Sequence, residues 1–122
     1  MTSRQDSGQA AEALACGHLE RNGLRLIAQN WRCRSGELDL VMLDGSTLVF
    51  VEVRFRKHLA WGGALESVDM RKRGKLITAA QQFLQSDSRW RKSPCRFDVV
   101  AIEPDGKENN LQLNWLKNAF EC

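Results

Sequence analysis

The chain lacks most of the short signatures that announce a chemistry. Its four cysteines, Cys16, Cys33, Cys95 and Cys122, are scattered and form no C-x-x-C pair. They read as reduced thiols of a cytosolic protein, and a zinc site assembled from them with His18 or His58 is disfavoured. No Ser-His-Asp order, G-x-S-x-G elbow or P-loop occurs, which leaves serine hydrolases and P-loop nucleotidases without support. The opening stretch "MTSRQDSGQAAEALACGHLE" is polar and has no apolar h-region, so no secretory signal is expected. No apolar run approaches the ~20 residues a membrane crossing needs. Internal repeats and low-complexity tracts are absent. A net charge of +3 is only mildly basic; it permits nucleic acid as a partner without arguing for it.

What is present reads as one domain over residues 1–122, large enough for a single core. Residues from about Gly8 to Arg21 form a helix stopped by Asn22-Gly23. One stripe on it runs Ala11, Leu14, Ala15, His18, and another Glu12, Ala15, Cys16, Leu19. Glu12 therefore sits at the edge of the apolar face. From the helix alone it reads as a boundary carboxylate paired with a basic neighbour. "LRLIAQNWRC" is a short strand, and Gly36 to Arg56 a hairpin turning at Asp44-Gly45. A second helix spans about Asp69 to Gln85. "CRFDVVAI" is a strand buried on both faces, and "LQLNWLKNAF" a short strand running into a terminal helix. The fold class is α/β: a mixed central sheet with an antiparallel hairpin beside a parallel strand, joined by a right-handed crossover and flanked by helices.

The hairpin "GELDLVMLDGSTLVFVEVRFR" places charge where a core is expected. Side chains alternate along a strand. Val49, Val51, Val53 and Phe55 share one face; Leu48, Phe50, Glu52, Arg54 and Arg56 share the other. On the first strand Glu37, Asp39, Val41 and Leu43 lie opposite Leu38, Leu40 and Met42. A two-residue loop at Asp44-Gly45 would pair Asp39 with Phe50 and Glu37 with Glu52; a four-residue loop would pair Asp39 with Glu52. Either register puts Asp39 and Glu52 on one face as neighbours. Two carboxylates there repel and call for a cation. Arg54 is one candidate. A hard divalent ion, Mg²⁺ or Mn²⁺, is the other, since no sulfur or imidazole is near. The alternative is an exposed face laced with salt bridges.

Two basic clusters, "RFRKH" (Arg54 to His58) and "RKRGK" (Arg71 to Lys75), flank a loop with Gly62-Gly63. Cations in the first turns of a helix oppose its dipole unless an anion such as phosphate sits there. The bland counterpart is a solvated basic face. Trp61 either stacks on a base or packs.

These residues resemble the YraN-like family of small bacterial proteins, related to the restriction-endonuclease-like PD-(D/E)XK nucleases and, among them, most similar to Holliday-junction resolvases. The hairpin carries the resemblance, with "RFDVV" at the expected distance, and it extends over nearly the whole chain. It implies a restriction-endonuclease-like fold and a site built from Glu12 on the first helix, Asp39, Glu52, and Arg54 where the superfamily has lysine. Arginine stays protonated and cannot act as a base, though it can hold a phosphate oxygen.

The expectation is a cytoplasmic metal-dependent endonuclease that cuts DNA, structured or branched DNA above a fixed sequence. Asp39 and Glu52 would hold Mg²⁺ or Mn²⁺, Arg54 would contact the scissile phosphate, and Arg56, Lys57, Arg71 and Lys72 would position the backbone. The resemblance to resolvases implies a homodimer. The rivals are a nucleic-acid-binding protein that keeps the fold without cutting, and a structural protein whose acidic cluster is a salt-bridge network.

Overall fold

The computed structural model describes residues 3–55, 70–104 and 111–120. The elements are α1 (Ser3–Arg21), β1 (Arg25–Cys33), β2 (Gly36–Asp44), β3 (Thr47–Phe55), α2 (Met70–Ser86), a 3-10 turn (Ser88–Trp90), β4 (Cys95–Pro104) and β5 (Leu111–Phe120). The strands form one sheet in the order β1-β2-β3-β4-β5. β3 and β4 are parallel, with α2 in the segment joining them, and the other pairs are antiparallel. This is the mixed sheet that the sequence pattern predicts.

Each helix covers one face of the sheet. Ala11, Ala15, Cys16 and Leu19 of α1 pack on the face that carries Leu40 and Val49. The Glu12 stripe is thus the one that turns inward, whereas Leu14 of the other stripe is exposed. Leu76, Ala79, Ala80 and Phe83 of α2 pack on the opposite face, where Phe83 meets Trp31 and Phe50 edge-on. Both faces of the central strands are covered, and β4 is buried without a break from Phe97 to Glu103. The stop of α1 follows from Asn22-Gly23. Gly23, at φ +94°, turns the chain so that Leu24 N–H donates to Leu19 O at 3.1 Å and Gly23 N–H to Glu20 O at 3.0 Å. Those bonds satisfy carbonyls the helix would leave open.

The C-terminal stretch differs from its sequence reading. Leu111–Phe120 is a strand throughout, and no terminal helix follows within the described residues. Five residues from Leu116 would make a marginal helix, while the β4 edge offers a ladder and a buried carboxylate offers more. Asp98 is fully buried. It accepts from Asn118 N–H at 2.9 Å, from Trp115 Nε1–H at 2.9 Å and from Arg96 Nε–H at 3.0 Å. The β4–β5 register shifts at this point, and Asn118 takes φ +53°. Arg96 continues the network to Asp44 at 3.0 Å.

Asp98→Ala would strip Arg96, Trp115 and the Asn118 amide of a shared buried acceptor. The expected loss is about 3–5 kcal/mol, read from urea unfolding midpoints at constant slope. A loss below about 1 kcal/mol would mean that β5 holds its place without this carboxylate.

Candidate functional site

The site is created by a separation of β2 from β3. Gly45, at φ +62°, and Ser46 form a two-residue loop closed by the Asp44↔Thr47 pair. The ladder then runs from Leu43↔Leu48 to Leu40↔Val51 and ends there. The next pair in this register would be Asp39 with Glu52. Instead, the Asp39 carboxylate takes the place of a ladder acceptor: Val53 N–H donates to its Oδ2 at 2.9 Å.

The face assignment of the first hairpin strand therefore needs correcting at its start. Leu38 lies with Val41 under α2, and Leu40 with Met42 under α1. Residues two apart on a regular strand share a face, so the alternation breaks at Asp39. The neighbouring strand breaks with it. Gln29 pairs with Leu40 and Trp31 with Leu38, while Asn30 between them adopts φ +52°.

Glu52 remains on the α2 face and is buried at 5 % exposure, in a space lined by Leu38, Phe50, Leu76, Phe97 and Phe120. Burial, followed by hydrogen bonding to Asp39 and by the Asp39 charge, pushes its pKa up to about 8; the charges of Lys72 and Arg54 pull the other way. Lys72, from the first turn of α2, brings Nζ to 3.3 Å from Glu52 Oε2. That approach is out of line for a hydrogen bond, so Oε2 is buried with no hydrogen-bond partner among the described residues. Two like charges about 4 Å apart at an effective dielectric near 20 repel by about 4 kcal/mol. The pair must hold a proton or a cation, and without a cation Glu52 carries the proton at neutral pH.

Glu12 reaches the same end of the sheet from α1. Burial, and after it the Asp39 charge, raises its pKa; a hydrogen bond with the Asn30 side chain opposes the rise, and Glu37 adds to it. The break at Asp39 turns Glu37 toward α1, where it can act on Glu12. Glu12, Asp39, Glu52 and Arg54 are thus one electrostatic group. Lys72, expected to hold the nucleic-acid backbone, belongs to it as well. Arg71 is exposed on α2. Arg56, Lys57, His58, Trp61 and Gly62-Gly63 lie outside the described residues.

Two members escape a strand-by-strand reading. Asn30 shows itself only by its backbone, and Lys72 is 20 residues from Glu52 in sequence. Among the described residues no group of three or more His, Cys, Asp or Glu side chains is arranged to hold a metal. His18 meets Trp115 edge-on at 6.0 Å, a packing contact. A metal here would rest on two carboxylates, with its remaining positions open to water or substrate oxygen, a pattern that suits Mg²⁺.

The family model described as "Uncharacterised protein family UPF0102" matches residues 11–102, a span that includes Glu12, Asp39, Glu52, Arg54 and Lys72. Among similar proteins, a UPF0102 protein of Ectopseudomonas mendocina (strain ymp) is 67% identical over 122 residues, 100% of both chains. One of Stutzerimonas stutzeri (strain A1501) is 66% identical over 121 residues, 99% of both. One of Pseudomonas aeruginosa (strain LESB58) is 58% identical over 120 residues, 98% of this chain and 96% of the relative. Among the described residues no helix is long and apolar enough to cross a membrane.

The raised pKa of Glu52 links stability to pH. Its folded value of about 8 exceeds the ordinary 4.5, so between those values the folded protein holds a proton that the unfolded chain has released. Stability contributed by Glu52 is therefore lost as pH rises through this window. Glu52→Gln, which resembles the protonated form, should flatten that slope and leave the variant more stable than the parent at pH 8. Parallel melting curves from pH 5 to 8 would exclude the shift.

Proposed function

The chain belongs to the family UPF0102, whose description states no activity, and we propose from its site that it is a metal-dependent endonuclease acting on DNA phosphodiesters, structured or branched DNA above a fixed sequence. The observation that carries the proposal is the contact between Asp39 and Glu52. Two carboxylates from separating strands meet at the end of a sheet, one of them buried with an oxygen lacking a hydrogen-bond partner among the described residues. Such a pair costs stability in a protein that has no use for it. The likeness of the hairpin to restriction-endonuclease-like nucleases supports the same reading.

Asp39 and Glu52 fit a hard divalent ion, which would replace the proton that Glu52 holds. Bound there, Mg²⁺ or Mn²⁺ would supply Lewis-acid activation of water and stabilisation of charge on the phosphate. Glu12, hydrogen-bonded to Asn30, would add acceptor capacity on the α1 side. Arg54 offers a planar, permanently charged donor set to a phosphate oxygen. The 3.3 Å approach of Lys72 Nζ to Glu52 supports a role for this lysine, from α2 instead of β3, where Arg54 cannot act as a base. Its compact ammonium, with three rotatable donors, orients the attacking water.

Arg54 at the lysine position favours a second reading, a nuclease fold kept for binding nucleic acid without cutting. Salt-dependent DNA binding with no cleavage under any metal would establish it.

The test is cleavage of four-way, nicked and supercoiled DNA in Mg²⁺, Mn²⁺ or EDTA. Asp39→Ala and Glu52→Gln should each lower the metal-dependent rate by about 10³-fold, and Lys72→Ala by about 10²-fold. Cutting that survives the Asp39→Ala/Glu52→Gln double variant would remove the site from consideration.

A further inference from the structure

We propose that the β1–β2 turn and the adjoining flank of α2 form a sequence-independent surface for the backbone of duplex DNA, leading away from the acidic pair. This rests on the nuclease reading above and adds to it the path of the substrate. The turn lies at the same end of the sheet as the site, because β2 begins at Gly36 and reaches Asp39 three residues later. It is seated directly on α2. A Cβ at Gly36 would lie 3.9 Å from both the Cβ and the carbonyl oxygen of Lys75, and Gln82 Nε2–H donates to Ser35 Oγ at 3.0 Å. Basic side chains distant in sequence thereby become neighbours. Arg34 on the turn, and Lys75 and Arg71 one turn apart on α2, are all exposed.

The charge balance is one-sided. α2 reads "MRKRGKLITAAQQFLQS" and contains no acidic residue. Among the described residues, the carboxylate next to this turn in sequence is Glu37, 3.5 Å from Arg32, whose side chain is 77% exposed; a pair so exposed neutralises little. Two of the neutral groups on this flank that could read base edges are engaged internally. Thr78 Oγ1–H donates to Gly74 O at 3.0 Å, and Gln82 holds Ser35. Long cations remain, and these contact phosphates, giving register on the duplex without sequence preference. Arg73 is directed elsewhere, over the Phe120 ring at 5.4 Å, so the surface runs toward the β1–β2 turn and away from β5.

The test measures binding of a labelled 30-base-pair duplex in EDTA, where cutting is suppressed, from 50 to 200 mM salt. The variants are Arg34→Gln/Lys75→Gln and, as control, Arg91→Gln/Lys92→Gln. Arg91 and Lys92 are exposed at the opposite end of the sheet, beside the β4 start that pairs with Leu48. Each phosphate contact contributes about 0.9 to the slope of log K against log salt. The first variant should lose about 1.8 from the parent slope, and the control should keep it. An unchanged slope in the first variant, or an equal fall in the control, overturns the surface; if metal-dependent cutting is intact, the nuclease reading survives that result. Absence of salt-dependent binding by the parent protein overturns both. All four side chains are exposed, and matching melting temperatures confirm that the variants fold.

Discussion

The bond from Val53 N–H to the Asp39 carboxylate is the contact on which the rest of this end of the molecule depends. A side chain stands in for a strand backbone, and the β2–β3 ladder stops one pair early. Three consequences follow from that substitution. Asp39 is drawn against Glu52. Leu38 turns to the α2 side and Glu37 toward α1. The neighbouring strand follows by placing Asn30 in a left-handed conformation, from which its side chain steadies Glu12. The local geometry that looks like a defect in the sheet is what brings α1, β1, β2 and β3 to one point.

Much of this was legible in the residues. Alternation placed Glu52 on the face of Phe50; the Asp39–Glu52 register was one of the two considered, but it comes from a two-residue loop shifted to Gly45-Ser46 and not from the four-residue loop to which it was tied. The stripe containing Glu12 was identifiable at helical spacing, but the helix alone favoured a boundary role. Its membership in the acidic group became clear through resemblance and then through its electrostatic coupling to Asp39. The break at Asp39 was not legible, because period-two reasoning assumes an unbroken strand and no glycine or proline marks the interruption. Lys72 was seen as a phosphate-binding residue because its proximity to Glu52 depends on how α2 crosses the sheet, a tertiary fact. The final strand was half-read: its apolar start was recognised, but the pull of Asp98 on the Asn118 amide has no local signature.

Electrostatically, the site is set against itself. Glu52 is buried among aromatic and aliphatic side chains beside a second carboxylate, and the two cations on hand do not restore it to its ordinary acidity. Lys72 approaches Oε2 without the alignment of a hydrogen bond. A structural salt bridge would be expected to close that geometry, and this one does not.

Both outer strands of the sheet carry a kink. β1 shifts register between Leu26 and Ala28 and bends again at Asn30; β5 shifts opposite Asp98 and bends at Asn118. Bulges of this kind make an edge a poor template for another strand. Among the described residues the sheet has five strands, and the kinks guard both outer strands against open-ended stacking of one copy on the next.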